Sequence, residues 1–123
     1  MTEMLKDVYE MLKIDRKNSA WSAKNTMEFR FAELKSEINE LNEALKNQDV
    51  ENLKEEIGDS IGDLLFLIVI AEEYGYFSLK EVIETYFEKF KRRKPWIFSG
   101  EKLTIEEEMK RWRETKILEK NKK

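Results

Sequence analysis

The sequence predicts an all-α protein, a helical bundle of four to five helices. Two observations predict it. One proline and four glycines in 123 residues leave little punctuation for strands and tight turns. Apolar residues recur at three- and four-residue spacing almost throughout, which is the helical period. The length suits one domain, with residues 1–123 as a single unit. Within it, residues 1–20 form an N-terminal helix and connection, 21–98 a helical core, and 99–123 a charged C-terminal helix.

Each element has its own signal. Met4, Leu5, Val8, Met11 and Leu12 make a first apolar stripe, followed by a polar stretch from Asp15 to Lys24. The second helix is predicted from Thr26 to Lys46, with Phe31, Leu34, Ile38, Leu41 and Leu45 on one stripe. Asn47-Gln48-Asp49 reads as a connection, with Asp49 as the N-cap of the next helix. The third helix, from Val50 to Tyr74, begins amphipathic and is apolar on most sides between Ile61 and Ala71, as expected of a central helix. Gly75 ends it. Ser78 caps a fourth helix to about Lys91, with Leu79, Val82, Ile83, Tyr86, Phe87 and Phe90 inward. Pro95 and Gly100 mark a break before a charged last helix from Thr104, which carries Ile105, Met109, Trp112 and Lys116 on or near one face.

Composition excludes several chemistries. The chain has no cysteine, hence no disulfide, thiolate metal site or Cys nucleophile. It has no histidine, hence no His general base and no Ser-His-Asp triad. Catalysis must rest on carboxylates, Lys or Arg, aromatics and a metal. A net charge of −3 gives no global case for nucleic acid. The N-terminal Met1-Thr2-Glu3-Met4 lacks a signal-peptide pattern, and the apolar run Leu64–Ala71 is too short to span a membrane, so the chain reads as cytoplasmic.

Two acidic pairs stand out, Glu37-x-x-Glu40 and Glu56-x-x-Asp59. Residues three apart share a helix face. With the second helix centred on Ile38, Glu33, Glu37 and Glu40 fall on one flank of the stripe. With the third centred on Ile57, Glu56, Asp59 and Asp63 do likewise. Both sets can then converge on a cleft between packed helices. Crowded carboxylates repel unless a cation sits among them, and Mg²⁺ takes oxygen ligands together with substrate phosphates. That points to chemistry on a phosphate ester or anhydride. Gly58 and Gly62 beside the acids imply close helix approach or room for a ligand, since glycine costs about 1 kcal/mol in a helix interior.

Lys89-Phe90-Lys91-Arg92-Arg93-Lys94-Pro95 is the densest basic run. Lys89 and Arg93, four apart, could grip one anion. They could equally complement the helix dipole. Trp112 and Lys116 repeat an aromatic-plus-cation pairing suited to a base and a phosphate. The plainer role for Trp112 is an anchor for the last helix.

Taken in order, these motifs resemble the MazG family of nucleoside triphosphate pyrophosphohydrolases, all-α enzymes. Trp21-x-x-x-Asn25-Thr26 is similar to the family's W-x-x-x-Q-T. Ser36-Glu37-x-x-Glu40 is similar to E-E-x-x-E, and Glu56-Ile57-Gly58-Asp59 to E-L-G-D. Lys89-x-x-Arg92-Arg93-x-Pro95-x-x-Phe98 and Arg111-Trp112-x-x-x-Lys116 match K-x-x-R-R-x-P-x-V-F and R-W-x-x-x-K. The resemblance runs from about Trp21 to Lys120 and implies a MazG-like fold.

It further implies Mg²⁺, or Mn²⁺, on Glu37, Glu40, Glu56 and Asp59, the catalytic set. Nucleotide contacts would come from Lys89, Arg93, Trp112, Lys116 and Trp21. The implied reaction splits the α–β anhydride of a nucleoside triphosphate into a monophosphate and pyrophosphate, in nucleotide-pool cleaning. A homodimer or homotetramer is implied as well. Two departures stand out. Ser36 replaces the first Glu of a pair, and Leu64-Leu65-Phe66 follows Asp63 rather than Asp59. Either the helix carries four extra residues, or Asp63 takes the ligand role with Ser60 in the Glu position. Glu56 and Asp59 keep both acids and the spacing from Glu40, and Asp63 is a further candidate. The second functional class is a catalytically inactive helical interaction module of the same fold, which Ser36 favours. Nucleic-acid binding through Lys89–Lys94 is a weaker third.

Overall fold

The computed structural model describes residues 2–121. Met1, Lys122 and Lys123, which the single-domain expectation includes, lie outside the described residues. Seven helices and no strand occur among them: α1 (Thr2–Asn18), α2 (Ala20–Lys24), α3 (Met27–Lys46), α4 (Val50–Glu73), α5 (Leu79–Arg93), α6 (Trp96–Ser99) and α7 (Ile105–Asn121). The all-α class is as predicted. The two extra helices are short and fall where the sequence suggested connections. Contacts divide the chain into two compact units, one ending at Leu79 and one beginning at Lys80.

In the first unit, α1 continues past the polar residues to Asn18, so the expected break shrinks to a turn. Ser19 then caps α2 by accepting from the Ser22 amide. The Arg16 guanidinium holds this corner by donating to the Ser22 and Asn25 carbonyls and to Glu73. Thr26 caps α3 and Asp49 caps α4, each accepting from the amide three residues on. Asn47–Asp49 joins α3 and α4 into a helical hairpin with an extensive contact. The hairpin turn is a Schellman motif. Asp49 N donates to Ala44 O at 3.0 Å, and Gln48 N to Leu45 O at 3.2 Å, with Gln48 at φ 53°. Gly75, at φ 76°, closes α4 in the same way. Tyr9 of α1 packs on Leu65 and Val69 of α4, with Val8, Leu12, Ile68 and Leu79 against them. Its hydroxyl donates to Glu72 at 2.6 Å, and burial pushes the phenol pKa up.

The helix register differs from the predicted one. Leu34 and Ala44 are buried and Leu41 half-buried, whereas Phe31, Ile38 and Leu45 are exposed. On α4, Glu56 and Ser60 are buried and Leu53 and Asp63 half-buried, whereas Ile57, Ile61 and Leu64 are exposed. The α3–α4 seam therefore runs through Leu34, Glu37, Leu41 and Ala44 on one side and Leu53, Glu56, Ser60 and Asp63 on the other. Their spacing alternates three and four, as in a coiled-coil seam. Ile38 and Ile57, which the sequence suggests as stripe centres, lie outside it. The N-terminal half of α4 is not enclosed on all sides; its buried stretch is Leu65, Phe66 and Val69–Ala71.

The second unit holds α5, α6 and α7. Trp96 is its buried residue, and its indole NH donates to Glu108 at 2.8 Å. Thr104 and Glu107 form a reciprocal capping box at the start of α7. Of the apolar residues expected inward on α5, Leu79, Val82 and Phe90 are half-buried. Ile83, Tyr86 and Phe87 are exposed. The α5 stripe is amphipathic as predicted, and within this unit Phe90 meets Phe98 edge to face at 6.1 Å.

Candidate functional site

The acidic pairs meet inside the α3–α4 seam. Oxygens of Glu37, Glu56 and Asp59 all lie within 4.8 Å of one another. Glu56 is buried, Glu37 half-buried and Asp59 exposed, so the cluster opens to solvent on one side. Glu40 is exposed, and its carboxyl is one of the groups that raise the Glu56 pKa. The helix register explains the meeting. Glu37 and Glu56 occupy seam positions flanked by Leu34, Leu41 and Leu53, and Glu40 and Asp59 each stand one turn along.

Such a seam is electrostatically unfavourable on its own. With every carboxylate ionised, Oε2 of Glu37 and Oε2 of Glu56 are buried and lack a hydrogen-bond donor. A proton on Glu56 supplies one. The bond it shares with Glu37 is the main cause that pushes the Glu56 pKa up to about 8, followed by burial and then Glu40. A hard cation would relieve the same repulsion without a proton. The donor set is all oxygen, contains two orphaned buried atoms and is open on one side, so it fits a divalent ion that keeps water or phosphate ligands.

Asp63 sits differently. It pairs with Arg30 at 3.5 Å, both side chains being 13% exposed. Its pKa is raised, mainly by burial, against the lowering effect of Arg30. Arg30 is also stacked on the Phe66 ring at 3.8 Å and lies 5.2 Å from the Trp21 ring. Sequence reasoning overlooked Arg30, since nothing in its local pattern announces a partner 33 residues away. Trp21 is exposed and meets Phe29 edge to face at 5.8 Å. A Cβ added at Gly58 or Gly62 would meet nothing within 4 Å. The glycines thus leave open space, and close helix approach is not their role within the chain. Ser36 is exposed.

In the second unit, Lys89, Arg93 and Trp112 line one cavity of about 290 Å³, with Tyr86, Phe90 and Lys94. Lys116 lies 4.4 Å from the Trp112 ring centre and lines a larger groove of about 740 Å³, also with Lys89 and Arg93. The four residues read from the two sequence motifs thus belong to adjoining hollows between α5 and α7. Trp112 is 38% exposed and is not a buried anchor; Trp96 has that role. Arg111 is bidentate to Glu101. The basic sequence motif includes Arg92 without giving it a role, and no motif singles out Glu119, which also lines the groove. Their contact joins positions 27 apart, which helical periodicity cannot reveal.

Comparison with known proteins agrees with this architecture. Residues 25–98, more than half the chain, match the model of the MazG nucleotide pyrophosphohydrolase domain. A nucleoside triphosphate pyrophosphohydrolase of Mycobacterium tuberculosis is 30% identical over 98% of this chain and 38% of its own length. The nucleoside triphosphate pyrophosphohydrolase/pyrophosphatase MazG of Thermotoga maritima is 36% identical over 84% of this chain and 39% of its own. The chain thus spans less than half the length of these curated relatives. The crystal structure of a mazG-related protein from Thermotoga maritima superposes with a TM-score of 0.85 at 37% identity, covering 90% of this chain and 97% of that one. The chain belongs to the MazG nucleotide pyrophosphohydrolase family.

Proposed function

We propose that the protein hydrolyses nucleoside triphosphates to nucleoside monophosphate and pyrophosphate with Mg²⁺, as part of nucleotide-pool cleaning in the cytoplasm. The observation that carries this reading is the triad Glu37, Glu56 and Asp59, drawn within 4.8 Å inside a helix seam at the expense of two unpartnered oxygens. Only a proton on Glu56 or a cation offsets that arrangement, and the all-oxygen, solvent-open donor set supports the cation. The family to which the chain belongs supports the substrate class. No helix among the described residues is long and apolar enough to cross a membrane.

Glu37, Glu40, Glu56 and Asp59 are the catalytic and metal-binding residues in this reading. A divalent cation held there supplies Lewis-acid polarisation of phosphate oxygens and lowers the pKa of a water. Mn²⁺ suits the same oxygen donors. The water oxygen bonds to one phosphorus of the α–β anhydride, and the bridging oxygen leaves with the other. Lys89 and Arg93 bind triphosphate charge. Trp112 offers a ring face to a base and Lys116 a cation to phosphate, and Trp21 is a separate candidate for a nucleotide contact. The exposed stripe of Phe31, Ile38, Ile57 and Ile61 supports assembly into a homodimer or homotetramer.

The test is pyrophosphate release from a panel of canonical, deoxy and modified triphosphates with added Mg²⁺. Glu37→Gln, Glu40→Gln, Glu56→Gln and Asp59→Asn are each expected to abolish release while leaving the helical circular dichroism intact. Near wild-type rates in all four would refute the site. An inactive wild-type chain under the same conditions would favour the interaction module, the reading that the exposed Ser36 supports.

A further inference from the structure

The groove between α5 and α7 already contains an anion, and it belongs to the protein. Six cationic side chains line this groove: Lys89, Arg92, Arg93, Arg113, Lys116 and Lys120. The chain as a whole is acidic, with net charge −3, so this concentration of positive charge is local. The single acid among the lining residues is Glu119. Its Oε2 accepts from Arg92 Nε at 2.6 Å. Its Oε1 accepts from Arg93 Nη2 at 2.8 Å and Nε at 3.1 Å, which makes the Arg93 contact a two-pronged fork. Two guanidinium groups converging on two oxygens is the arrangement that arginines also present to a phosphoryl group. Glu119 is only 19% exposed and stays on these partners rather than extending into water.

We propose that Glu119 is an internal stand-in for a phosphate, occupying the Arg92–Arg93 pair until a phosphoryl group of a polyphosphate substrate displaces it. The inference rests on the reading that Lys89 and Arg93 bind triphosphate, and it adds Arg92 as a further phosphate contact. It also sets the exchange chemistry. The arginine pair holds the Glu119 carboxyl down to about 2, so near neutral pH it is not released by protonation. Only a competing anion displaces it. A monoanion offers no more charge than the carboxylate it replaces, whereas a triphosphate meets the remaining lysines and arginines as well. The exchange therefore favours polyphosphates over singly charged anions. Once displaced, Glu119 adds one negative charge near the groove, which weakens retention of the product.

Inorganic triphosphate is titrated calorimetrically into the full chain without divalent cation. The variants are Glu119→Gln, Glu119→Ala, Glu114→Gln, Arg93→Ala and Lys89→Ala. Both Glu119 variants are expected to bind about tenfold tighter, because no carboxylate–guanidinium ion pair has to be broken first. Arg93→Ala is expected to bind about tenfold weaker, for loss of a charge-assisted bond. In wild type, the arginine side-chain NMR signals of Arg92 and Arg93 are expected to shift together on addition of triphosphate. Glu114→Gln removes an equal charge from α7 without touching the arginines. A gain as large in Glu114→Gln as in the Glu119 variants would overturn the displacement, leaving only a long-range charge effect. Unchanged or weaker binding in the Glu119 variants, with Arg93→Ala still weakened, would overturn the displacement and leave the phosphate reading standing. No change in either Arg93→Ala or Lys89→Ala would overturn both.

Discussion

At the residue scale, two glutamates titrate in opposite directions for opposite reasons. The Glu56 carboxyl is pushed up to about 8 from the usual 4.5 by its bond to Glu37 and by burial. A raised folded-state pKa stabilises the fold below 4.5, and that contribution is lost as pH climbs toward 8. Glu119, held by Arg93 and Arg92, is pushed down to about 2 from 4.5. Its contribution is present above 4.5 and lost as pH falls toward 2. Urea midpoints of the metal-free protein should therefore fall on both sides of a mildly acidic optimum. Glu56→Gln should flatten the neutral-to-alkaline side and hold or raise stability at pH 8, since it removes charge from a repelling cluster. Added Mg²⁺ should flatten the same side in wild type and much less in Glu56→Gln. If Glu56→Gln were clearly less stable than wild type at pH 8, the repulsion argument would be wrong.

At the element scale, the α3–α4 hairpin is the device that builds the acidic cluster. Three residues connect the helices, and the turn fixes their relative register. Gln48 adopts φ 53° there, a left-handed conformation that costs an L-residue roughly 1–2 kcal/mol. The comparable position after α4 carries Gly75 at φ 76°. Gln48→Gly removes the steric cost and adds about 0.5–1 kcal/mol of unfolded-chain entropy. A net gain of up to about 1 kcal/mol is expected, read as a higher melting temperature. A loss in stability would mean that Gln48 is not strained in the turn. Much of this scale was legible in advance. Asp49 and Gly75 stand at the helix ends where their chemistry predicted, and α3 begins where the second helix was expected, next to Thr26. The short helices α2 and α6 were not legible. At five residues α2 is too short to carry an apolar stripe, and its corner is fixed by Arg16 of α1.

At the scale of the whole molecule, the exposed apolar residues form a pattern. Phe31, Ile38 and Leu45 recur every seven residues on α3, and Ile57, Ile61 and Leu64 at four and three on α4. Both stripes keep helical spacing and lie outside the seam. The same surface repeated on a second copy is the simplest cover for them. Sedimentation at micromolar concentration should show a species at least twice 14.8 kDa. Ile38→Asp combined with Ile57→Lys should shift it toward the monomer. A wild-type chain sedimenting only at 14.8 kDa would count against assembly.

The sequence by itself determined the class, the long helices with most of their caps, and which residue types could do chemistry. Spacing within a helix is local geometry, so Glu37 with Glu40, Lys89 with Arg93 and Trp112 with Lys116 could each be paired on one face from the sequence alone. Only the tertiary structure decided which face turned inward. The apolar stripes suggested Ile38 and Ile57 as centres, but the packed seam runs through Glu37 and Glu56. The reason is that a helix with more than one apolar side has no unique inward face until a neighbour chooses one. Contacts between helices belong to the same class. Arg30 with Asp63, and Glu119 with Arg92 and Arg93, join residues distant in the chain, and no periodicity encodes which distant charge a guanidinium will find.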